Sequence, residues 1–387
     1  MSKLNGKIIL VVNCDFVYPP DHGGRVDSWN RIKCLYQMDC VVDLICTVKD
    51  MPSQEYVDEV RKYVRNLYFC PRKNRIVDIF SRAPLQLKSR EQLKNVKLDA
   101  VYDYLIVEDT GAMPILQNPK LSYNKAMLHM HNDNYVYFNG LASSESILWK
   151  KLYYLLDAYK FRNIDASVVR AIPNVAFISY DEMIRYKKRY PHIHETFLPA
   201  AIEADYKERT LTSRTVLLIG SLFMINNQDA IRFYLRDVHP HLTQDVEGYR
   251  LIIAGNSRGK GVAWIEEMTA DYHNVDIYDT PEDLDGLYAQ AGVFVNPMRY
   301  GAGVKLKTVN AIVNGLPVVA TTIGNEGTGL IHGEQILVDD DPLVLCRYIK
   351  ELLGDVSMRR AFVNRAQAYL RENYNQKEKL SAYLASL

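Results

Sequence analysis

The sequence predicts an α/β protein with two doubly wound domains of parallel strands and covering helices. Short apolar runs alternate along the chain with longer amphipathic stretches, which is the pattern of repeated strand-helix-strand units. The chain has 387 residues, enough for two domains of ordinary size, each with its own core. Its charge is unevenly divided, since residues 1–200 carry about +6 and residues 201–387 about −5. A molecule with two domains accounts for both the length of the chain and the uneven division of its charge.

The N-terminal domain is predicted over residues 1–200. An apolar run at residues 7–14 forms its first strand, and a turn rich in proline and glycine leads into a helix over residues 26–37. Later apolar runs predict strands at residues 41–48, 66–70, 104–108, 125–131 and 175–179. A long helical stretch covers residues 147–171.

A polar stretch over residues 201–214 is predicted to link this domain to a second one over residues 215–370. Strands of the second domain are predicted at residues 216–219, 250–254, 275–278, 293–296, 317–321 and 335–338. In doubly wound sheets, ligands bind beyond the carboxyl ends of the strands. Candidate site residues are therefore expected in the loops that follow these strands.

Composition limits the class of protein. The chain is 48% apolar and 24% charged with a formal net charge of +1, which describes a folded globular protein and not a disordered or generic nucleic-acid-binding one. No apolar run approaches the roughly 18 residues of a membrane span, and no segment resembles a signal peptide, so we expect a cytoplasmic location. The six cysteines form no Cys-x-x-Cys pair and are expected to be reduced and buried.

Residues 293–330 are the most informative segment. They read as an apolar strand, a glycine loop with two lysines, a short helix, a second apolar strand and a second glycine-rich loop. The bare backbone of Gly301-Ala302-Gly303 lets a ligand approach, and the N–H groups that open the next helix favour an anion. Lys305 and Lys307 lie beside that helix end. We therefore predict a phosphate or diphosphate ligand.

This segment resembles the donor-binding half of the GT-B glycosyltransferases of family 4, which are retaining and nucleotide-sugar dependent. Their segment has the form Gly-x-Gly-x-Lys/Arg-x-Lys-x-x-Glu-Ala-x-x-x-Gly-x-Pro-Val-Val, which here runs from Gly301 to Val319. The resemblance implies two Rossmann-like domains that face each other across a cleft, with a C-terminal helix, residues 371–387, packed on the N-terminal domain. It also implies a nucleotide-diphosphate sugar as donor, no permanently bound cofactor and no requirement for a divalent metal.

One feature departs from the family pattern. Many relatives carry a Glu-x7-Glu pair where this chain has Ala302 and Asn310. Asparagine can still form a hydrogen bond with a ribose or sugar hydroxyl, but it has no charge. The resemblance then implies donor binding through these residues: Gly23, Gly24, Gly220, Asp279, Gly301, Ala302, Gly303, Val304, Lys305, Asn310 and Glu326.

Several of these residues match the family outside the central segment. Gly23-Gly24 follows the first strand and resembles the glycine loop that lies under the donor diphosphate, although such pairs also serve packing. Gly220 ends the first strand of the second domain, and Asp279 lies where relatives bind the nucleotide base. Glu326, in a Gly-x-Glu-Gly turn, can either bond a sugar or ribose hydroxyl or fix its own loop.

The segment His129-Met130-His131-Asn132-Asp133 resembles the family's His-Asn-x-Glu segment after a strand. We predict His131 as a sugar contact, and Asp133, alone or with His131, as the group that orients the acceptor hydroxyl. Lys307 is predicted to stabilise the leaving diphosphate. His129 is expected on the opposite face of the strand, in a structural role.

Basic residues crowd residues 61–97 and residues 185–190. Such runs are usually solvated surfaces, but family members that build cell-surface polysaccharides take a lipid-diphosphate-linked acceptor at the membrane. Docking on an anionic membrane surface is therefore a second interpretation.

The sequence thus predicts a retaining glycosyltransferase that moves a sugar from a nucleotide-diphosphate sugar to a glycan or lipid-linked acceptor, in bacterial cell-surface polysaccharide biosynthesis. Two alternatives share the fold: a sugar-nucleotide 2-epimerase, which needs no acceptor, and a catalytically silent nucleotide-sugar-binding subunit of a glycan-assembly complex. The second alternative would explain the missing glutamates.

Overall fold

The computed structural model describes residues 4–20, 23–73, 75–145, 147–202, 205–301 and 303–387. The chain forms two compact units. The first comprises Met1–Ala201 and Asn375–Leu387, and the second comprises Ile202–Tyr374. The described residues of each unit form one parallel sheet with helices in the connections, which confirms the predicted fold class.

Seven strands form the sheet of the first unit: β1 (Ile8–Asn13), β2 (Val41–Val48), β3 (Asn66–Pro71), β4 (Val101–Glu108), β5 (Ser122–Met130), β6 (Asn174–Phe177) and β7 (His194–Phe197). Their spatial order is β3-β2-β1-β4-β5-β6-β7. The central strand β1 is buried from Ile9 to Val12, because helices cover both faces of the sheet. That double coverage explains its unbroken apolar sequence.

The helices of the first unit are α1 (Gly23–Gln37), α2 (Gln54–Arg61), α3 (Leu85–Lys88), α4 (Asn134–Ser144), α5 (Leu148–Ala171) and α6 (Tyr180–Arg189). Short 3-10 turns cover Ile76–Phe80, Glu91–Asn95 and Thr110–Gln117. The glycine pair predicted as a loop forms the first turn of α1.

The second unit contains β8 (Thr215–Ile219), β9 (Arg250–Gly255), β10 (Val275–Asp279), β11 (Val293–Asn296), β12 (Val318–Ala320) and β13 (Leu337–Val338), in spatial order β10-β9-β8-β11-β12-β13. Its helices are α7 (Ile225–Asp237), α8 (His239–Asp245), α9 (Ala263–Thr269), α10 (Leu284–Gln290), α11 (Leu306–Val313), α12 (Thr322–Asn325), α13 (Pro342–Gly354) and α14 (Val356–Asn373).

The segment predicted as a linker, residues 201–214, clusters with the second unit except for Ala201, which belongs to the first. The backbone N–H of Lys207 donates to the carbonyl of Val313 at 2.8 Å, and Arg209 Nε donates to the carbonyl of Asn314 at 3.1 Å. Both contacts hold the segment against the end of α11. Residues 203 and 204 of this segment lie outside the described residues.

The last helix, α15 (Gln376–Ser386), begins at Gln376 and not at residue 371. Asn375 caps it by accepting a hydrogen bond from the N–H of Glu378, which separates it from α14. Leu380, Tyr383 and Leu384 of α15 pack into the same core as residues of α1. The C-terminal helix therefore belongs to the first unit.

No helix within the described part of the chain is both long and apolar enough to cross a membrane.

Candidate functional site

The second unit contains a pocket of about 510 Å³ at the carboxyl ends of its strands. Ile219 at the end of β8, Gly255 at the end of β9 and Met298 after β11 contribute to its wall. The order of strands reverses between β8 and β11, and ligands of doubly wound sheets bind at such a reversal. The wall is completed by Gly220, Ser221, Asn226, Asn227, Asn256, Thr280, Pro281, Leu284, Val304, Lys305, Leu306 and Lys307.

Close approach of two glycines shapes the floor of this pocket. A Cβ atom on Gly255 would lie 1.7 Å from the carbonyl oxygen of Gly220, and one on Gly220 would lie 3.0 Å from the side chain of Asn227. The backbones of β8 and β9 therefore meet at a distance that only glycine permits at position 255.

We expect Gly255→Ala to lower the free energy of unfolding of the second unit by about 3 kcal/mol, because the new methyl group collides with backbone that cannot rotate away. Urea unfolding followed by the fluorescence of Trp264, which lies on α9, measures the change in a background of Trp29→Phe and Trp149→Phe. Gly354→Ala is the matched control: its Cβ meets nothing within 4 Å, and we expect a change below about 1 kcal/mol. If the two variants unfolded at the same urea concentration, the predicted collision at position 255 would be contradicted.

Lys307 is the cation best placed for a ligand in this pocket. It lies in the first turn of α11, and its Nζ donates to Asn227 Oδ1 at 2.7 Å. Asn227 is neutral, and in the described part of the chain Lys307 forms no salt bridge. Burial, with a smaller effect from Lys305, lowers the pKa of Lys307 from its ordinary value to about 7. A bound anion would supply the counter-charge that this lysine lacks.

Lys305 has a different role, although it lies only two residues earlier. Its Nζ donates to the carbonyl of Gly303 at 2.6 Å, to the carbonyl of Gly301 at 3.2 Å and to Glu326 Oε2 at 3.0 Å. It is 5% exposed as a residue. Lys305 and Glu326 thus hold the glycine loop to the turn after α12. For Glu326, this contact favours the loop-fixing role over a bond to a sugar hydroxyl.

The glycine loop itself leads into α11. Gly301 and Gly303 have φ values of 130° and 83°, in the region that glycine tolerates and other residues rarely adopt. Neither residue lines the pocket, whereas Val304 does. Ala302, predicted as a donor contact, lies outside the described residues.

Asp279 and Asn310, like Gly301, Gly303 and Glu326, are predicted donor contacts that do not line the pocket. Asp279 accepts hydrogen bonds from the N–H and Oγ of Ser257 at 3.0 and 2.7 Å and from Thr280 Oγ1 at 2.9 Å, and these bonds lower the pKa of Asp279. Its carboxylate therefore joins the loops after β9 and β10. Asn310 is exposed on α11, one turn beyond Lys307.

A buried polar network lies at the carboxyl ends of β4 and β5 in the first unit. Glu108 Oε2 accepts hydrogen bonds from His129 Nδ1 and His131 Nε2, each at 2.8 Å. Arg31 Nε, from α1, donates to Glu108 Oε1 at 2.6 Å, and Arg31 Nη2 donates to Asp27. His131 is the most accessible member, with a side chain 14% exposed against 1% or less for the others.

The prediction that His129 faces away from His131 is wrong. Both rings contact the same carboxylate oxygen, and their centroids are 4.9 Å apart. Residues two apart in extended backbone share a face, so the side chains of His129 in β5 and of His131 just after it point to the same side. His129 is fully buried, which agrees with its predicted structural role.

The charges of this network follow from its contacts. Burial raises the pKa of Glu108, but Arg31 and the two histidines hold it well below its ordinary value. Burial and Arg31 lower the pKa of His129. Burial lowers the pKa of His131 as well, but the hydrogen bond and charge of Glu108 raise it, and the net pKa lies above the ordinary value. An ionised Glu108 only accepts, so His131 carries a proton on Nε2.

The same residues include a set of potential metal ligands. One donor atom from each of Asp27, Glu108, His129 and His131 lies within 4.8 Å of the others. The guanidinium of Arg31 already bonds Asp27 and Glu108, and its Nη2 lies 2.9 Å from His129 Nδ1. A metal ion would have to displace this cation, so the arrangement fits a network centred on arginine better than a metal centre.

Asp27 also connects distant parts of the first unit. Its Oδ1 accepts hydrogen bonds from the backbone N–H of Ala201 at 3.1 Å and from Gln376 Nε2 at 3.2 Å. Its Oδ2 bonds Arg31. Both carboxylate oxygens are therefore engaged.

Asp133 caps α4 by accepting a hydrogen bond from the N–H of Val136 at 3.2 Å. It is 1% exposed, and within the described residues its Oδ2 has no hydrogen-bond partner. Burial and the charge of Asp133 raise the pKa of the neighbouring Asp165 to about 7. This position gives Asp133 a structural contact that the sequence did not reveal, and its predicted role toward an acceptor stays a prediction.

Asp15, at the end of β1, accepts hydrogen bonds from Arg25 Nε and Nη2 at 3.0 and 2.9 Å. Arg25 follows Gly24 in the first turn of α1. This contact holds the glycine pair beside the carboxyl end of the central strand, and its role toward a donor diphosphate stays a prediction.

The structure thus gathers the predicted residues into two groups, Gly220, Val304, Lys305 and Lys307 in the second unit and His131 with its neighbours in the first. Asp27, Arg31 and Glu108 were not predicted from the sequence. Glu108 had a detectable signal, since it is an acid at the carboxyl end of an apolar strand.

Comparison with known proteins gives one family and several similar structures. Residues 213–355 match the family model described as glycosyl transferases group 1. The chain is 32% identical over 389 residues to a 44.6 kDa protein in the cps region of Klebsiella pneumoniae, and the match covers 97% of this chain and 98% of that one.

Two solved structures illustrate the similarity of fold. The structure of TarM has a TM-score of 0.71 at 11% identity, and the match covers 98% of each chain. A point mutant of S. aureus TarM has also been solved in complex with UDP and alpha-GlcNAc-glycerol. The Anabaena protein HepE, in complex with UDP-glucose, has a TM-score of 0.61 at 14% identity, and the match covers 98% of this chain and 100% of that one.

Proposed function

Because the chain belongs to the glycosyl transferases group 1 family and is a glycosyltransferase of the GT-B fold, we propose that it is a retaining enzyme that transfers a hexose-type sugar from a nucleotide-diphosphate sugar. The acceptor is a glycan or a lipid-diphosphate-linked glycan. The reaction belongs to the synthesis of bacterial cell-surface polysaccharide, on the cytoplasmic side of the membrane.

One observation carries the choice of donor. Lys307 contributes a cation to the pocket wall, and its only described hydrogen bond goes to the neutral Asn227. A diphosphate provides the negative charge that would complete this site, and the adjacent N–H groups at the start of α11 favour the same charge. HepE, which shares the fold, was solved with UDP-glucose.

The proposed chemistry needs stabilisation of the charge that grows on the leaving diphosphate. Lys307 supplies it directly, with backbone N–H groups of the glycine loop and of Gly23-Gly24. Lys305 and Glu326 hold that loop in place. His131, which Glu108 orients through a hydrogen bond, contacts the sugar. The acceptor attacks from the face that the diphosphate leaves, so the enzyme needs no nucleophile of its own.

No step of this proposal requires a divalent metal. Lys307 provides the positive charge that a metal would otherwise bring to the diphosphate. Transfer is therefore expected to persist in EDTA, and loss of activity in EDTA that Mg²⁺ or Mn²⁺ restores would overturn this part of the proposal.

The biosynthetic pathway is proposed from the relative in K. pneumoniae, which is a protein of the cps region. A capsule or similar surface polysaccharide is assembled on lipid-linked intermediates, so the acceptor is expected to end in a sugar attached to a lipid diphosphate. The protein would then work at an anionic membrane surface.

A screen of nucleotide sugars tests the proposal. UDP-, GDP-, dTDP- and ADP-linked sugars are added to the purified protein, and the melting temperature is measured by scanning fluorimetry, with Lys307→Ala in parallel. We expect one donor to raise the melting temperature of the wild-type protein and to raise that of the variant much less at the same donor concentration. Stabilisation of both proteins to the same degree would place the donor elsewhere.

The neutral residues Ala302 and Asn310 favour a second candidate, a nucleotide-sugar-binding subunit without turnover. Incubation of the stabilising donor with lipid-linked acceptors distinguishes the two. Release of nucleotide that depends on the acceptor supports transfer, whereas binding without release supports the silent subunit. Release without any acceptor would favour the 2-epimerase.

A further inference from the structure

Several of the basic residues found in the sequence are paired with neighbouring acids. In residues 61–97, Lys62 pairs with Glu59, Arg65 with Asp43, Arg75 with Asp78 and Lys88 with Glu91. In residues 185–190, Lys187 pairs with Glu195. These pairs weaken the basic segments as a docking surface, and another surface of the first unit exposes more apolar area.

The N-terminal half of α5 exposes a continuous row of large apolar side chains. We define this apolar stripe by six residues with their exposed fractions: Leu148 (70%), Trp149 (66%), Leu152 (58%), Leu155 (42%), Leu156 (40%) and Tyr159 (62%). Their spacing of three and four residues places them on one side of the helix, over about 16 Å. So long a row of exposed apolar residues is unusual on a free surface and indicates an interaction.

The opposite side of α5 is already occupied by the core. Ala158 and Phe161 are buried, and the Phe161 ring stacks on Phe138 of α4 with centroids 5.4 Å apart. The apolar stripe is therefore a second apolar face of the same helix.

The exposed charges of α5 that flank the stripe are positive. Lys151 and Arg162 are exposed, and Lys150 lies over the Trp149 ring at 5.7 Å. Asp157 is the sole acid between residues 147 and 163, and it is fully buried and bonded to Lys160. This part of the helix thus turns Asp157 inward together with Lys160, and it exposes Lys151 and Arg162.

A neighbouring turn repeats this pattern. Lys160 Nζ donates to the carbonyl of Ile79 at 2.6 Å, which ties the turn Ile76–Phe80 to α5. This turn exposes 85% of Phe80 and 69% of Val77, whereas its acid, Asp78, is buried and paired with Arg75.

We propose that the apolar stripe docks the protein on an anionic phospholipid bilayer. Leucine, tryptophan and tyrosine would enter the boundary between headgroups and acyl chains, while the flanking lysines bind anionic headgroups. A second copy of the chain fits this surface less well, because a two-fold contact through the stripe would bring lysine against lysine. Residues 147–163 expose no acid, which matches an anionic surface.

Flotation of the full chain with vesicles tests the proposal. We expect binding to vesicles of phosphatidylglycerol and phosphatidylcholine, and little binding to phosphatidylcholine alone. The double variant Trp149→Ser with Leu152→Ser is expected to lower the partition coefficient about tenfold or more. Lys150→Glu with Lys151→Glu is expected to abolish the preference for phosphatidylglycerol.

The matched control is Met51→Ser with Leu343→Ser, which removes two side chains of similar exposure, 65% and 61%, away from the stripe. It should bind vesicles like the wild-type protein, and circular dichroism confirms that each variant is folded. Absence of wild-type binding at low salt would overturn the proposal, as would equal binding by the stripe variant. Light scattering that shows a dimer lost only in the stripe variant, without vesicle binding, would assign the stripe to a second copy.

Discussion

Lys307→Ala is expected to raise the Kd for the donor about 10- to 100-fold and to slow cleavage of the donor about 100-fold or more. The first effect is the loss of a charged hydrogen bond to the diphosphate. The second arises because charge grows on the diphosphate as the glycosidic bond breaks, so the lysine contributes more to the transition state than to the ground state. Calorimetric titration and release of nucleotide measure the two quantities.

Lys350→Ala is the control for this variant. Lys350 is a half-exposed lysine of the same unit, paired with Asp245 at 2.9 Å, and lies on α13 away from the pocket wall. Its loss should leave both quantities unchanged. If the two variants behaved alike, the diphosphate would have to lie outside the proposed pocket.

The pH dependence of donor binding gives an independent check. The pKa of Lys307 is lowered to about 7, so the ammonium form predominates below this pH and the neutral amine above it. The anionic donor prefers the ammonium form, and affinity should therefore fall as the pH rises above about 7. This dependence should vanish in Lys307→Ala, and a flat profile for the wild-type protein would contradict it.

Arg31→Met is expected to lower the free energy of unfolding of the first unit by about 3–5 kcal/mol. The variant leaves Asp27 and Glu108 as buried carboxylates without their cation, and the cost of an uncompensated buried charge is of this size. Urea unfolding measures it in a background of Trp149→Phe and Trp264→Phe, where Trp29 of α1 is the one remaining tryptophan.

Two further variants separate this explanation from a general loss of packing. Arg25→Met removes an arginine from the same helix whose partner, Asp15, is half-exposed, and should cost less than about 1 kcal/mol. Adding Asp27→Asn and Glu108→Gln to Arg31→Met removes the stranded charges and should restore part of the stability. No recovery would mean that packing of the arginine, and not its charge, is responsible.

Strands with a clear apolar run were predictable from sequence, including the edge strands β3, β10 and β13, whereas the edge strand β7 was not. Residues 41–48 form β2 with the predicted bounds, because burial on both sides favours a mainly apolar run, here interrupted by the buried Asp43 and Thr47. β7 was missed, since an edge strand with the sequence His-Glu-Thr-Phe is half-polar and has no such run. The fold class and the assignment to glycosyltransferases, which rest on long patterns, are confirmed.

The site was predictable only as far as it is local in sequence. The glycine loop and its two lysines lie close together in the chain, so a motif reveals them. Their separate roles depend on partners elsewhere: Glu326 for Lys305 and Asn227 for Lys307. The network of Arg31, Glu108 and His131 joins α1, β4 and the end of β5, and no local pattern indicates which of many charged residues would meet there.

Asp27 has a consequence for how the first unit is closed. The chain leaves this unit after Ala201 and returns to it at Asn375, and residues at both crossings, Ala201 and Gln376, bond the same atom, Asp27 Oδ1. One carboxylate oxygen therefore anchors both the point where the chain leaves the first unit and the point where it returns, although these are far apart in sequence. The other oxygen, Asp27 Oδ2, bonds Arg31, which in turn bonds Glu108, the partner of His131. The anchoring of both crossings and the orientation of His131 therefore depend on one set of charges.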